Sequence, residues 1–288
     1  MRDILTSPRL EDIKRKRKAR IIRLIILFGI LFLSIFGALA YFSSYHRVTI
    51  HTVEVTGNRI INTTDVQTVV TNDISGRYIH LFSRANILIY PKGKIYKDLI
   101  TAFPRIQSLD ISLDRFNTLH IDLVERQAAF LYCGASIPAI PTDVGENCFF
   151  INNDGYIFDK APYFSGNVYF KYYMKLPGSD TRALGSQMLP QDQFHALASF
   201  IDKITSLGFK PIYLSENDDG IDTLYLDNGN NPIIPQIIFK AHDDLPTILS
   251  NLTTAMAQPE FANDIHSKYA TLLYIDLRFT DKVLYKFQ

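Results

Sequence analysis

The hydrophobic and polar positions divide this chain at residue 42. From Leu24 to Phe42, nineteen consecutive residues carry no charge, and their only polar side chains are Ser34 and the Tyr41 hydroxyl. A helix rises about 1.5 Å per residue, so the run spans roughly 28 Å, about the hydrocarbon thickness of a bilayer. It predicts one transmembrane helix. A secretory signal peptide is the alternative, but its apolar region is shorter, about 7–15 residues, and a small-residue cleavage site follows. Ala38 and Ala40 imitate such a site poorly, so an uncleaved anchor is expected.

Beyond the anchor the pattern changes period. Val53 and Val55 share one face of an expected strand over 48–56, which turns at Gly57-Asn58. Thr63-Thr64-Asp65 is expected to cap a short helix through Val66, Val69 and Val70. Residues 78–90 are a mixed apolar stretch, expected to be partly extended. Ile95, Leu99, Ile100 and Phe103 have helical spacing, and Pro104 stops them. Ile106 to Leu113 and Thr118 to Val124 then alternate like a hairpin around Asp114-Arg115-Phe116-Asn117. The order strand, helix, helix, strand, strand over residues 48–127 puts two helices on one face of a three-stranded sheet.

A second region covers residues 128–288. Strands are expected at 129–133, 148–151 and 156–158, with Asn153-Asp154-Gly155 as a tight turn. Residues 160–190, with Pro162, Pro177, Gly178, Gly185 and Pro190, read as irregular. Phe194, Leu197, Ala198, Ile201, Ile204 and Leu207 make the apolar stripe of a helix over 191–207, ended by Gly208. Further strands are expected at 211–214, 221–226 and 235–239, a helix over 244–257, and a final hairpin of 272–279 and 283–287. The fold class is therefore α+β: one N-terminal transmembrane helix, a small β-α-α-β-β domain, and a mixed, largely antiparallel β domain with helices.

Charge gives the anchor a direction. Residues 1–23 hold nine basic and three acidic side chains, a net of +6, against −5 for the rest, so the whole-chain +1 hides a split. The positive-inside rule puts the tail (residues 1–23) in the cytoplasm and the large domain outside. The basic run adjoins the anchor, so contact with the headgroups of the lipid bilayer is the natural reading, and no nucleic acid is expected. Outside the cytoplasm Cys133 and Cys148 can pair, a loop of about 15 residues worth roughly 3 kcal/mol. The alternative is two separate buried thiols.

Catalytic and cofactor chemistry leave little trace. The seven His, at 46, 51, 80, 120, 195, 242 and 266, are scattered, and no HExxH, phosphate loop or CxxC occurs. His195 reads as a packing or surface residue. Asn152-Asn153-Asp154-Gly155 and Asn217-Asp218-Asp219-Gly220 resemble fragments of calcium loops, but turn chemistry explains them. No enzyme activity, cofactor or metal is expected. What remains is recognition: the last hairpin, with Tyr285 and Phe287, offers either a sheet edge for a partner strand or merely the completion of a core.

Several strings resemble the bacterial cell-division family FtsQ/DivIB. Val53-Glu54-Val55-Thr56-Gly57-Asn58 is similar to the first strand and turn of that family's POTRA domain. Ile121-Asp122-Leu123-Val124-Glu125-Arg126 resembles the strand that closes it, and Asn153-Asp154-Gly155-Tyr156-Ile157-Phe158 the opening of the β domain. Tyr274-Ile275-Asp276-Leu277-Arg278-Phe279 resembles the family's C-terminal strand. Departures are Asn117 and Gln127, where the family often has Pro, and a long segment from Asp73 to Lys94.

The resemblance implies a POTRA-like domain and a non-catalytic scaffold of the division septum in the plasma membrane. Its expected partners are FtsB- and FtsL-like single-pass proteins and the septal peptidoglycan synthase complex. Tyr274, Ile275, Asp276, Leu277, Arg278, Phe279, Val283, Leu284, Tyr285, Lys286 and Phe287 would bind the partner, and Val53, Val55, Gly57 and Asn58 would serve recruitment. A Pro at Leu277 or Tyr285 is expected to abolish binding by removing a strand donor. A POTRA-type chaperone or secretion component and a membrane-tethered envelope enzyme are the alternatives.

Overall fold

The structure is a computed structural model and describes residues 8–114, 117–138, 147–164, 166–177, 182–229, 231–241 and 243–288. It divides into two units: residues up to 102 with 108–124, and residues 103–107 with 125–288.

The first unit opens with α1 (Pro8–Ser43), 36 residues and so roughly 54 Å long. The helix starts well before Leu24, because the Lys, Arg and Leu residues ahead of the apolar run are all good helix formers. Its segment Lys14–Ser43 is long and apolar enough to cross a membrane, and none of its most apolar window is buried in protein. That is consistent with a single-pass membrane protein.

After a short turn come β1 (Thr52–Thr56), α2 (Thr63–Ile74), two two-residue strands β2 (Arg77–Tyr78) and β3 (Phe82–Ser83), α3 (Lys92–Ala102), β4 (Ile106–Asp114) and β5 (Thr118–Glu125). The cap of α2 is Asn62 rather than a Thr: its side-chain oxygen accepts the Thr64 N–H at 3.2 Å. Thr63 is already helical and cannot fill that role. The turn residues Arg115 and Phe116 lie outside the described residues.

The sheet order is β1-β5-β4, with β1 parallel to β5 and Val53 opposite Leu119. Val66, Val70 and Ile74 of α2, Ile95 and Leu99 of α3, and Leu119, Ile121 and Leu123 of β5 are buried. Each such side chain contributes about 1.5–3 kcal/mol on leaving water, which is what makes the helical and period-two spacings bind to each other.

The second unit holds β6 (Phe130–Tyr132), β7 (Phe149–Ile151), β8 (Ile157–Lys160), β9 (Lys171–Tyr173), α4 (Gln191–Ser206), β10 (Pro211–Glu216), β11 (Ile221–Leu226), β12 (Gln236–Lys240), α5 (Leu245–Met256), α6 (Pro259–Ser267), β13 (Leu272–Phe279) and β14 (Lys282–Phe287). They form one nine-stranded sheet in the order β14-β13-β12-β11-β10-β9-β6-β7-β8. Five neighbour pairings are antiparallel and three parallel.

The parallel pairs need long crossovers, and helices supply two of them: α4 between β9 and β10, α5 and α6 between β12 and β13. Phe194, Phe200 and Ile204 of α4, Leu252 of α5 and Ile265 of α6 pack with Leu214, Leu224, Phe239 and Ile275 of the sheet in one core. Gly208, at φ +98°, ends α4 as its sequence suggests.

Two elements depart from the expected pattern. β9 lies in the stretch read as irregular, and α6 was not anticipated. Gly178 of that stretch lies outside the described residues. Cys133 and Cys148 form a disulfide, Cα atoms 4.2 Å apart, packed with Leu131 and Ala161 beneath Phe150 and Phe164. At the β8 edge, the Arg105 guanidinium donates to Asp159 at 2.5 Å and lies 5.1 Å from the centre of the Phe158 ring.

Candidate functional site

The far edge of the nine-stranded sheet is β14, and no described strand pairs with its outer side. Its inner side pairs antiparallel with β13: Ile275 opposite Tyr285, Asp276 opposite Leu284. Gln288 returns its N–H to the Thr271 carbonyl at 2.9 Å. Main-chain groups alternate in direction along an antiparallel strand, so residues 286 and 284 also face β13, and residues 283, 285 and 287 aim their N–H and C=O groups outward. These are the groups a partner strand would use.

The hairpin is held firmly from one side. Val283 and Phe287 pack against the helix-covered core. The Tyr285 ring meets Phe261 edge-on at 4.9 Å, and Lys268 Nζ lies 5.6 Å from the centre of the Phe287 ring. Asn251 of α5 donates to the Thr280 carbonyl at the turn, 2.7 Å. On the opposite face Leu284 is 46% exposed, and Phe279 at the end of β13 is 45% exposed. An open ladder edge flanked by uncovered apolar side chains is suited to docking.

The expected partner-binding residues do not all stand in equivalent places. Tyr274 to Phe279 belong to β13, an interior strand with β12 and β14 as neighbours, and Tyr274, Ile275 and Asp276 are paired on both sides. Ile275 and Leu277 are core residues. A Pro at Leu277 therefore disturbs the core, whereas a Pro at Tyr285 addresses the β14 edge. Asp276 and Arg278 satisfy each other: Arg278 Nε and Nη2 donate to the two carboxylate oxygens at 2.9 and 2.6 Å. That hydrogen bond from Arg278 holds the Asp276 carboxyl below its ordinary range despite burial.

Of the expected recruitment residues, Val53 and Val55 lie on β1, at the edge of the three-stranded sheet of the first unit, and Gly57 and Asn58 follow it. Val53 and Val55 are half-buried, with Thr52, Glu54 and Thr56 exposed between them. Gln67 of α2 donates to the Val53 carbonyl at 2.8 Å. Gly57 has φ +80°, and Asn58 donates to Ile61 and Thr63 at 2.9 Å, which shapes the turn into α2.

The loop readings resolve as turns. Asn152 Oδ1 accepts from the N–H of Asp154 and Tyr156, and Asn217 Oδ1 from those of Asp219 and Ile221. Both oxygens are occupied by backbone. His195 sits exposed, 3.4 Å from Asp154. His46 and His51 do meet, ring centres 4.0 Å apart, and His242 lies outside the described residues. Among the described residues no three His, Cys, Asp or Glu side chains gather as a metal site.

One group escaped the sequence reading. Asp222 of β11 is 3% exposed, and its Oδ1 has no hydrogen-bond partner among the described residues. It borders a cavity of about 450 Å³ with Glu216, Asp243, Asp244, Met174 and Leu197. Burial, with the nearby Glu216 charge, pushes its pKa up to about 7. The signal was present: Asp222 shares its alternation with Leu224 and Leu226, both fully buried.

No protein-family model and no curated protein matches this sequence.

Proposed function

We propose that this chain is a single-pass, non-catalytic scaffold of the bacterial divisome, resembling FtsQ/DivIB. In that reading α1 anchors it with the basic tail in the cytoplasm, and both folded units lie outside the cytoplasm at the septum. The carrying observation is the open edge of β14. A partner of the FtsB/FtsL kind would add an extended segment there, taking the outward groups of residues 283, 285 and 287 for its ladder and Leu284 and Phe279 for apolar contact.

The β-α-α-β-β order of the first unit supports a POTRA-like domain, and the disulfide supports an oxidising compartment. Anchoring both partners in one membrane raises their effective concentration, so a single strand pairing suffices. The test is a photo-crosslinking amino acid placed at Leu284 in growing cells, with adducts read by mass spectrometry. One recurring single-pass division protein supports the scaffold. A broad spread of client polypeptides supports the POTRA-type chaperone instead. Crosslinks to glycan or none at all would remove the docking edge.

A further inference from the structure

The segment between α2 and α3 has a feature that docking at β14 does not use. Residues 75–94 contain no acidic side chain, four Lys or Arg, and a run of large apolar residues. Ile79 is 79% exposed, Leu88 84%, and Leu81 and Ile89 about 40%. Folded proteins in water seldom gather four such side chains on one short segment.

The segment is not loose. Ser83 N–H donates to Ser43 Oγ at 3.1 Å, and the buried Asn86 amide donates to the Ser43 carbonyl at 3.0 Å, clamping the segment to the last residue of α1. The Phe82 ring meets Phe36 edge-on at 5.2 Å. Phe36 lies six residues before Phe42, so Phe82 sits roughly 9 Å inside the end of the apolar run. Tyr41 and Tyr45, both exposed, stand where an aromatic belt marks a membrane boundary.

Much of the backbone between Leu81 and Ile89 is satisfied within the protein. Leu81 donates to Tyr78, Arg84 to Gly76, Ile87 to Val48 and Ile89 to Asn86, at 2.9 to 3.1 Å. Leu88 donates to Asn86 Oδ1 at 3.0 Å. Hydrocarbon tolerates irregular backbone only when such groups are satisfied within the protein. Ile79 and His80 hold φ of 49° and 62°, a left-handed turn that β-branched residues avoid and that leaves Ile79 exposed.

We propose that residues 77–90 are immersed in the bilayer leaflet at the C-terminal end of α1. Ile79, Leu81 and Leu88 enter the acyl region, the exposed Arg77 reaches back to the phosphates, and Arg84 stays packed over the Tyr78 ring, 5.4 Å from its centre. The apolar cleft of about 330 Å³ between Leu39, Phe42, Phe82 and Leu88 takes part of an acyl chain. Long cationic side chains keep their stems in the apolar layer and their heads in water, which suits Arg77. The absence of acids suits an anionic leaflet. The inference rests on α1 spanning the membrane, and it adds a second contact that fixes the rotation and height of the first unit.

The chain has no Trp, so single Trp reporters read out one place each. Ile79→Trp, Leu88→Trp, Phe32→Trp and Ile60→Trp full-length proteins would be reconstituted in phosphatidylcholine–phosphatidylglycerol vesicles with and without chain-brominated lipid. Bromine should remove more than half the emission of the Ile79→Trp, Leu88→Trp and Phe32→Trp proteins and spare the Ile60→Trp protein. Quenching of Phe32→Trp alone overturns the immersed segment while leaving the anchor standing. Equal quenching of Ile60→Trp overturns it too. No quenching of Phe32→Trp removes the anchor and the inference together. Residues 60, 79 and 88 are all more than 60% exposed, so these substitutions do not test folding.

Discussion

Tyr285 of the outermost strand meets Phe261 of α6 edge-on, ring centres 4.9 Å apart and planes at 89°. The ring is turned in toward the helices while the main chain of the same residue is turned out. One residue thus stiffens the edge and offers it. Such an aromatic pair is worth about 0.5–1.5 kcal/mol beyond its buried area.

Replacing Tyr285 separates these two roles. Tyr285→Ala should cost about 1–3 kcal/mol of stability and keep partner capture largely intact. Tyr285→Pro should cost a similar amount and reduce capture at least tenfold, because it also deletes an outward N–H. Leu277→Pro should instead abolish cooperative unfolding, since the Leu277 side chain is 3% exposed and part of the core. Urea unfolding followed by circular dichroism, beside co-isolation of the partner, tells these outcomes apart. Equal capture by the Ala and Pro variants would sink strand addition.

Asp222 predicts a pH dependence. An unfolded carboxyl titrates near 3.9, and this one titrates at about 7 in the folded chain. Between these values the folded state keeps a proton that the unfolded state has released. Stability therefore falls as pH rises from about 4 to about 7, by up to roughly 4 kcal/mol in total. Asp222→Asn should remove that slope and raise stability at pH 8. If Asp222 were the proton donor of an envelope enzyme, the same variant would lose function while gaining stability.

The disulfide should matter more to stability than to recognition. Cys133→Ser with Cys148→Ser should lower unfolding free energy by about 3 kcal/mol, as expected for a loop of this length. Reduction of the wild-type protein should produce the same loss. Partner capture by the folded fraction should be unchanged, because β6 and β7 lie at the other end of the sheet from β14.

Gly57 should tolerate no side chain. Its φ is +80°, and an added Cβ would collide with the Leu123 carbonyl on β5. Gly57→Ala should destabilise the first unit by more than about 1 kcal/mol, the usual scale for Ala forced to positive φ. Hydrogen exchange should show the loss in β1 and β5 while β10 to β12 stay protected.

The elements with strong period were legible in the sequence. α4 announced itself through Phe194, Leu197, Ile201 and Ile204, and β13 through its alternation, and both lie within a residue of where the pattern puts them. β9 escaped because three residues are too few to show a period, and Tyr173 is buried on the face opposite Tyr172. α6 escaped because only Phe261 and Ile265 of its nine residues are deeply buried. Neighbour relations were not legible. β13 and β14 look alike as strings, yet one is interior and the other an edge, because α5 and α6 return the chain to lie beside β12. That long-range pairing is set by the whole core and by no local pattern.

The two borders of the large sheet are unlike. β8 is four residues long and carries Asp159 bound to Arg105, whereas β14 runs six residues with an open ladder. Short, charged borders resist pairing. A fibre that repeats border to border would need each copy to seat its β8 against the next copy's β14, and β8 is poorly made for the purpose. The large sheet therefore has one border made for pairing: it can accept one foreign segment, and it is not built to propagate border to border into a fibre of its own kind.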